Sequence, residues 1–392
     1  MDILSECREL SSKLIALRRE LHRIPECGKE LPKTRAFVER ELDKLGIPYR
    51  ESSCDSGIIA EIKGELSGGT VVFRADMDAL NILEKTGVCY ASEHEGQMHA
   101  CGHDAHMAIL LCAAEVINRC KPELHGTVRL VFQAAEEIGQ GALDMISEGA
   151  LEGVSRAYAL HVGNLAGDSF EAGSIVIAPG AVTAGKKKFT ITVNGVSAHS
   201  AFPHKGIDAI AVAARIVSAC DEILSREVPS GKVAILTFGS ISGGKDHNTI
   251  TDRVEIKGSI RVQDAALREF VAERMTQICR STAEAFRAGC EVDIKDGSPS
   301  VFNEPVASKA AYEAVHGAVG EGVYDSGRDA FLASDDFARY SESVPSVYFM
   351  LCTNNREKGI DSPNHNEKFN VDEDVLYRGA AAFAAIALDG EH

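Results

Sequence analysis

Three apolar runs dictate most of what this chain can fold into. "TVVFRADMDAL" (70–80), "GTVRLVFQAAEE" (126–137) and "SRAYALHV" (155–162) each read as a buried strand. Helical patterns stand between them, "DAHMAILLCAAEVINRC" with Asp104 as its expected N-cap, and "ALDMISEGAL". Strands alternating with helices predict an α/β unit, a mostly parallel sheet with helices on both faces. Each strand also ends in chemistry: Asp76 and Asp78 after the first, Glu136 and Glu137 after the second, His161 after the third. In open α/β sheets ligands bind beyond the carboxyl ends of the strands.

After about residue 184 the pattern changes. "KKKFTITVNGV", a helix over 207–226, strands "VAILTFGSISGG" and "DRVEIKGSIRV", a helix from Ala265 and the strand "CEVDIKD" follow in order. That β-α-β-β-α-β sequence predicts a ferredoxin-like α+β unit, inserted at 185–296 as a lid or dimerisation domain. Residues 1–184 and 297–392 would form the larger domain, and 392 residues are too many for one ordinary core. "SVPSVYFMLC" is the strand expected after the insertion, and "VLYRGAAAFAAIAL" a terminal helix.

A formal net charge of −17 argues against electrostatic binding of nucleic acid or of an anionic membrane surface. No apolar run approaches the ~18–20 residues that span a bilayer. At the N-terminus, Leu10, Leu14, Leu17 and Leu21 recur between charges, the pattern of an amphipathic surface helix and not of a signal peptide. Eleven scattered cysteines fit reduced thiols in a cytoplasm better than a disulfide framework.

"HACGHDAH" (99–106) packs three histidines, a cysteine and an aspartate into eight positions. Cys101 and His103 are plausible metal ligands, but no C-x-x-C pair exists, so further ligands must come from far along the chain. A lone C-x-H in a loop is more often incidental, adjacent glutamates are usually solvated, and a histidine after an apolar strand is often a core residue. Their convergence on one sheet edge reverses that preference. Thiolate, imidazole and carboxylate together suit zinc or a similar divalent ion.

"FRADMDAL", "MHACGHDAH", "FQAAEE", "LHV", "GVSAHSAFPH", "NTITD" with "GSIR", and "SDDF" occur in the order seen in one group of enzymes. The chain closely resembles the aminoacylase/carboxypeptidase family of metal-dependent amidohydrolases, in the branch of hippurate hydrolase, N-acyl-amino-acid amidohydrolases and auxin-conjugate hydrolases. The resemblance implies Cys101, His103, Glu137, His161 and His365 as metal ligands. Five ligands imply two divalent ions per subunit, zinc before manganese, cobalt or nickel, with Cys101 where many relatives bridge through an aspartate. It makes Glu136 the general base, with His199 polarising the developing oxyanion, and Asn248 and Arg261 binding the substrate carboxylate. Asp76 and Asp78 would hold the outward nitrogens of metal-bound imidazoles, Asp78 thereby joining Glu136 and His199 in the catalytic set. His99 and His106 stay unassigned, and His22 reads as structural.

The chain departs from the family pattern at Ala134, Thr251, Asp335 and Glu367, where relatives usually carry proline, proline, glutamate and proline. The implied reaction is hydrolysis of an N-acyl-amino acid by a homodimer. Alternatives are a dipeptidase or carboxypeptidase of the same fold, or a metal-stabilised binding protein, against which an unliganded Glu136 argues. Asn248 and Arg261 flank the strand "RVEIKGSI", so "NTITD" must turn back before it if both are to grip one carboxylate.

Overall fold

The computed structural model describes residues 1–163, 170–326 and 333–390, which divide into two compact units. One holds Met1–Val182 and, apart from Ala333 and Ser334, the described chain from Val301 onward. The other holds Thr183–Ser300 with those two residues.

The larger unit is built on an eight-stranded sheet. Its order is Tyr49–Glu51, Ile58–Lys63, His125–Gln133, Leu66–Asp76, Val154–Gly163, Ser346–Cys352, Ile175–Val176 and Val323–Tyr324. The four long central strands are mutually parallel, as the alternation of strand and helix requires. The margins turn antiparallel, at Ile58–Lys63 against His125–Gln133 and at Ile175–Val176 against Ser346–Cys352. Side chains of the central strands alternate between two cores. Val71, Phe73, Phe132, Leu160 and Phe349 pack with the helices His103–Arg119 and Tyr377–Leu388. Val72, Val131, Ala159 and Tyr348 pack with Met145, Phe337 and Tyr340 on the opposite face. Both faces are thus covered, which explains why these strands are apolar at nearly every position.

One local expectation holds in part and one is overturned. The leucine-rich N-terminal segment is amphipathic, with Leu14, Leu17 and Leu21 inward, but it is not one helix: it forms two, Ile3–Glu9 and Ser11–Arg23, joined at Leu10. Its second helix buries Arg18 and His22 along with Leu14, Leu17 and Leu21. Nor does Asp104 cap its helix: Gly102 holds that position with φ 91°, and Asp104 lies inside the first turn. The Asp104 carboxylate is instead fully buried, 2.8 Å from Arg18 Nε and 2.7 Å from His22 Nδ1. Arg18 also reaches Glu373 at 3.1 Å, and His22 Nε2 lies 3.3 Å from Glu84. Burial alone would raise the Asp104 carboxyl, but Arg18 and His22 outweigh it and hold it far below the usual carboxylate range.

The inserted unit is a four-stranded antiparallel sheet in the order Ala234–Gly243, Arg253–Val262, Gly185–Asn194, Gly289–Asp296. Helices Ala209–Glu222 and Ala265–Ala285 supply Val212, Ile216, Val271 and Met275 to a core with Ile191, Val193, Ile256 and Ile260. Element order and strand order together are those of the ferredoxin-like unit. Among the described residues, no helix is long and apolar enough to cross a membrane.

Removing one partner of a buried ion pair strands the other charge, which costs about 3–5 kcal/mol. Asp104→Ala should therefore lower unfolding free energy by that amount in urea denaturation. A loss below about 1 kcal/mol, the range of an exposed pair, would show that Arg18 finds water instead.

Candidate metal centre

The donor atoms of Cys101, His103, Glu137, His161 and His365 all belong to the larger unit, and the fold turns them toward one another. His103 opens its helix, and its Nδ1–H donates to the Asp78 carbonyl at 2.7 Å. In the neutral ring Nε2 then keeps its lone pair, and it is buried with no hydrogen-bond partner. His161 is oriented the same way: Nδ1–H donates to the Val162 carbonyl at 2.7 Å, leaving Nε2 3.5 Å from Cys101 Sγ. Glu137 Oε1 lies 3.4 Å from His365 Nε2 and 4.0 Å from His103 Nε2. The loop before His103 passes so close to the sheet that a Cβ on Gly102 would meet Val162 Cγ2 at 2.3 Å. Only glycine fits there.

These atoms form two triads, Cys101–His103–His161 and Cys101–Glu137–His365, that share the cysteine. Two donors on one tetrahedral zinc-like ion stand roughly 3.4–3.6 Å apart, given bonds of ~2.0–2.3 Å. The 3.5 Å and 3.4 Å separations above match that edge. Charge points the same way. Burial, with His106 adding, keeps the His161 imidazole neutral by pushing its pKa well down. Burial also pushes the Cys101 thiol up, with Glu137, Glu136 and Asp76 adding to the effect. His103 is shifted the other way: against the effect of burial, the surrounding Asp76, Glu137 and Asp78 raise it. A pocket with this surplus of negative groups suits a cation.

His106 is not a donor. The Val162 backbone N–H donates to His106 Nε2 at 2.9 Å, so Nδ1 carries the proton and donates to Asp76 at 2.5 Å. Both nitrogens are occupied. His99 is buried outside these groups, and burial lowers its pKa to about 3.

Asp78 acts through two parts. Its carbonyl orients His103, and its carboxylate accepts the backbone N–H of Glu136 at 3.0 Å and of Glu137 at 3.1 Å. Ala135 is held at φ 61° just before the two glutamates, whose carboxylates both come near His103. Burial raises the Asp78 carboxyl to about 7. Glu136 is raised well above its usual range, by burial first and then by Asp335 and Asp336. The Asp336 backbone N–H lies 3.3 Å from Glu136 Oε1. Burial would raise Glu137 too, but His365 and His103 hold it below its usual value.

Sequence reasoning missed Arg74. Its buried guanidinium meets Asp76 at 2.6 Å, Asp336 at 2.8 Å and Asp335 at 3.3 Å. The doubled acid in "SDDF" was the available signal.

His199, Asn248 and Arg261 lie in the inserted unit. His199 pairs with Thr249 in a short ladder, and the Ser200 N–H donates to the Asn248 carbonyl at 2.9 Å, so His199 and Asn248 are neighbours. Arg261 pairs with Lys186 at the far end of the neighbouring antiparallel pair Arg253–Val262 and Gly185–Asn194. "NTITD" does not turn back. The ladder runs from Arg261↔Lys186 to Arg253↔Asn194, the Gly195 N–H then donates to the Asp252 carbonyl at 2.7 Å, and Thr249 pairs with His199 in a separate two-stranded sheet. Arg253 to Arg261 alone spans roughly 26 Å of strand. Asn248 and Arg261 of one chain therefore cannot grip one carboxylate, contrary to the expectation from sequence.

Residues 72–389 match the model for peptidase family M20/M25/M40. An N-acetyl-L-cysteine deacetylase of Bacillus subtilis is 36% identical over 371 residues, 95% of this chain and 86% of that protein. Thermostable carboxypeptidase 1 of Saccharolobus solfataricus is 34% identical, covering 98% and 97%. Among solved structures, a dinuclear metal-binding peptidase of the M20 family from Bacillus subtilis superposes with a TM-score of 0.85 at 30% identity, covering 97% of this chain and 98% of that one.

The two adjacent glutamates should separate by mutation. Glu137→Gln and Cys101→Ser should lower the metal content of purified protein, measured by elemental analysis. Glu136→Gln should keep the metal and lose roughly 10²–10⁴-fold in kcat, the usual worth of a general acid–base group. Near-normal kcat in Glu136→Gln would remove it from the chemistry.

Proposed function

Because the chain belongs to peptidase family M20/M25/M40 and is a metal-dependent hydrolase of that family, we propose that it cleaves the amide bond of N-acyl-amino acids or similar small conjugates, releasing a carboxylic acid and an amino acid. The observation that carries this reading is the Glu136 carboxyl, which neither triad meeting at Cys101 needs. A merely structural metal site would have no use for it.

Two divalent ions, zinc foremost and manganese, cobalt or nickel after it, would be held by His103 and His161 on one side and Glu137 and His365 on the other, with Cys101 between, supplying Lewis acidity toward the amide carbonyl and toward water. The chain's own residues do the rest. Asp78 holds the Glu136 and Glu137 amides and the His103 ring in place. Glu136, whose proton affinity is raised by burial and by Asp335 and Asp336, accepts the proton of the attacking water and delivers it to the departing nitrogen. His199 polarises the developing oxyanion, with Asn248 beside it. Arg261 presents a planar fork suited to the substrate carboxylate.

No small amide can bridge the ends of the strand that separates Asn248 from Arg261. If both groups act, they serve the sites of two copies, which supports a homodimer joined through the inserted unit. Exposed Ile210, Val233 and Ile241 on that unit support the same reading. Eleven unbridged cysteines support a reducing compartment such as the cytoplasm.

The likeness to a carboxypeptidase favours a second reading, action on free peptides. Turnover of N-acetyl, N-benzoyl and dipeptide substrates by the metal-loaded enzyme decides between them. Higher kcat/KM on N-blocked amino acids is expected, and a preference for free dipeptides would replace the first reading with the second.

Shared sites predict complementation. Glu136→Gln and His199→Ala are each expected to be nearly inactive. Unfolded together and refolded, they should recover about a quarter of wild-type activity, from the one intact site of each hybrid dimer. No recovery in verified hybrids would place His199 in the site of its own chain.

A further inference from the structure

The inserted unit contains three cysteines, and its fold brings all three together from three different elements. Cys220 lies in the last turn of Ala209–Glu222, Cys279 on Ala265–Ala285 and Cys290 on the edge strand Gly289–Asp296. Cys220 and Cys279 are fully buried, and their sulfurs are 3.8 Å apart. Cys290 turns inward with Val292 and Ile294 against the core that holds Cys220 and Cys279, and its thiol interacts with that of Cys279. It is only half-buried. Cys279 is thus the middle of a row whose outer member is reachable from solvent and whose inner member is not.

Isolated buried thiols are inert, but adjacent thiols can pass an oxidising equivalent along by sulfenic acid condensation and thiol–disulfide exchange. The move from contact to bond is short, from 3.8 Å to the ~2.05 Å of a disulfide. The two helices joined by such a bond cover one face of the four-stranded sheet, so the cross-link would tie the unit's core together.

We propose that Cys290, Cys279 and Cys220 form a relay that turns a hydroperoxide's oxidising equivalent into a buried disulfide. The Cys290 thiolate attacks the peroxide. An S–O bond forms, the O–O bond breaks, and the leaving oxygen departs as water or an alcohol once protonated. The Cys279 sulfur then attacks the Cys290 sulfenic sulfur, forming the Cys279–Cys290 bond and releasing the sulfenic oxygen as water with the Cys279 proton. Cys220 finally attacks Cys279. The Cys220–Cys279 bond forms, the Cys279–Cys290 bond breaks, and Cys290 recovers a thiol with the proton from Cys220. In sum, two thiols are oxidised and one peroxide is reduced.

The test is peptide mapping under non-reducing conditions after treating the metal-loaded enzyme with hydrogen peroxide. An intramolecular Cys220–Cys279 disulfide is expected, with a raised thermal midpoint that a reductant reverses. Cys290→Ser, or Cys290→Ala should serine disturb folding, should slow formation of that bond by at least about tenfold, because the oxidant loses its entry. Cys220→Ser should stop at the Cys279–Cys290 disulfide, and Cys279→Ser should leave a Cys290 sulfenic acid that a dimedone probe traps. Exposed Cys54 and Cys89 are the internal comparison. Oxidation of those two with all three relay thiols still alkylatable would overturn the proposal. So would Cys220–Cys279 forming at the wild-type rate without Cys290.

Discussion

One buried cation organises the carboxyl edge of the large sheet. Arg74 is only 1% exposed and cannot shed its proton, so its N–H groups must all be met inside the protein. Asp76 comes from its own strand, Gln133 from the neighbouring strand, and Asp335 and Asp336 from a segment some 260 residues further on. Gln133 and the Ala142 backbone N–H also bond to Asp336, which fixes the returning segment against both strands. Two of the acids that stabilise Arg74, Asp335 and Asp336, also crowd Glu136. Binding a buried arginine and raising the proton affinity of a neighbouring carboxyl are therefore one arrangement seen from two sides.

A second constraint is the hydrogen bonding of imidazoles. Each ring has one donor and one acceptor when neutral, so whichever nitrogen donates to the protein decides which remains for a ligand. His103 and His161 donate from Nδ1 to backbone carbonyls, of Asp78 and Val162, and present Nε2. His106 lies in the same stretch of helix, yet a backbone N–H takes its Nε2 and Asp76 its Nδ1, so it orients Asp76 and leaves nothing over. Three neighbouring histidines thus divide into two held by the backbone through Nδ1 and one with both nitrogens occupied.

The inserted unit shows how register limits function. Strand pairing places His199 and Asn248 together and Arg261 a strand's length away, in a different sheet. The strand between them, Arg253–Val262, commits Val254, Ile256, Ile260 and Val262 to the core. Residues that the sequence suggests as one carboxylate clamp therefore face different spaces.

Much of this was legible in sequence. The central strands followed from apolar runs, the inserted unit from its order of elements, and the gathering of acids and histidines at one sheet edge from their positions at strand ends. Local periodicity suffices for such features because strand and helix repeats are set by neighbours in the chain. Arg18 and Asp104 were not legible in this way: one looked like a surface charge and the other like a cap, and each depends on a partner 86 positions away that makes burial tolerable. Arg74 with Asp335 and Asp336, the grouping of Cys220, Cys279 and Cys290, and the separation of Asn248 from Arg261 are of the same kind. The sequence by itself determined which elements form and which side chains carry donor atoms. Only the tertiary structure decided which of those atoms keep a lone pair, which charges are neutralised and which residues meet, because each depends on contacts between segments far apart in the chain.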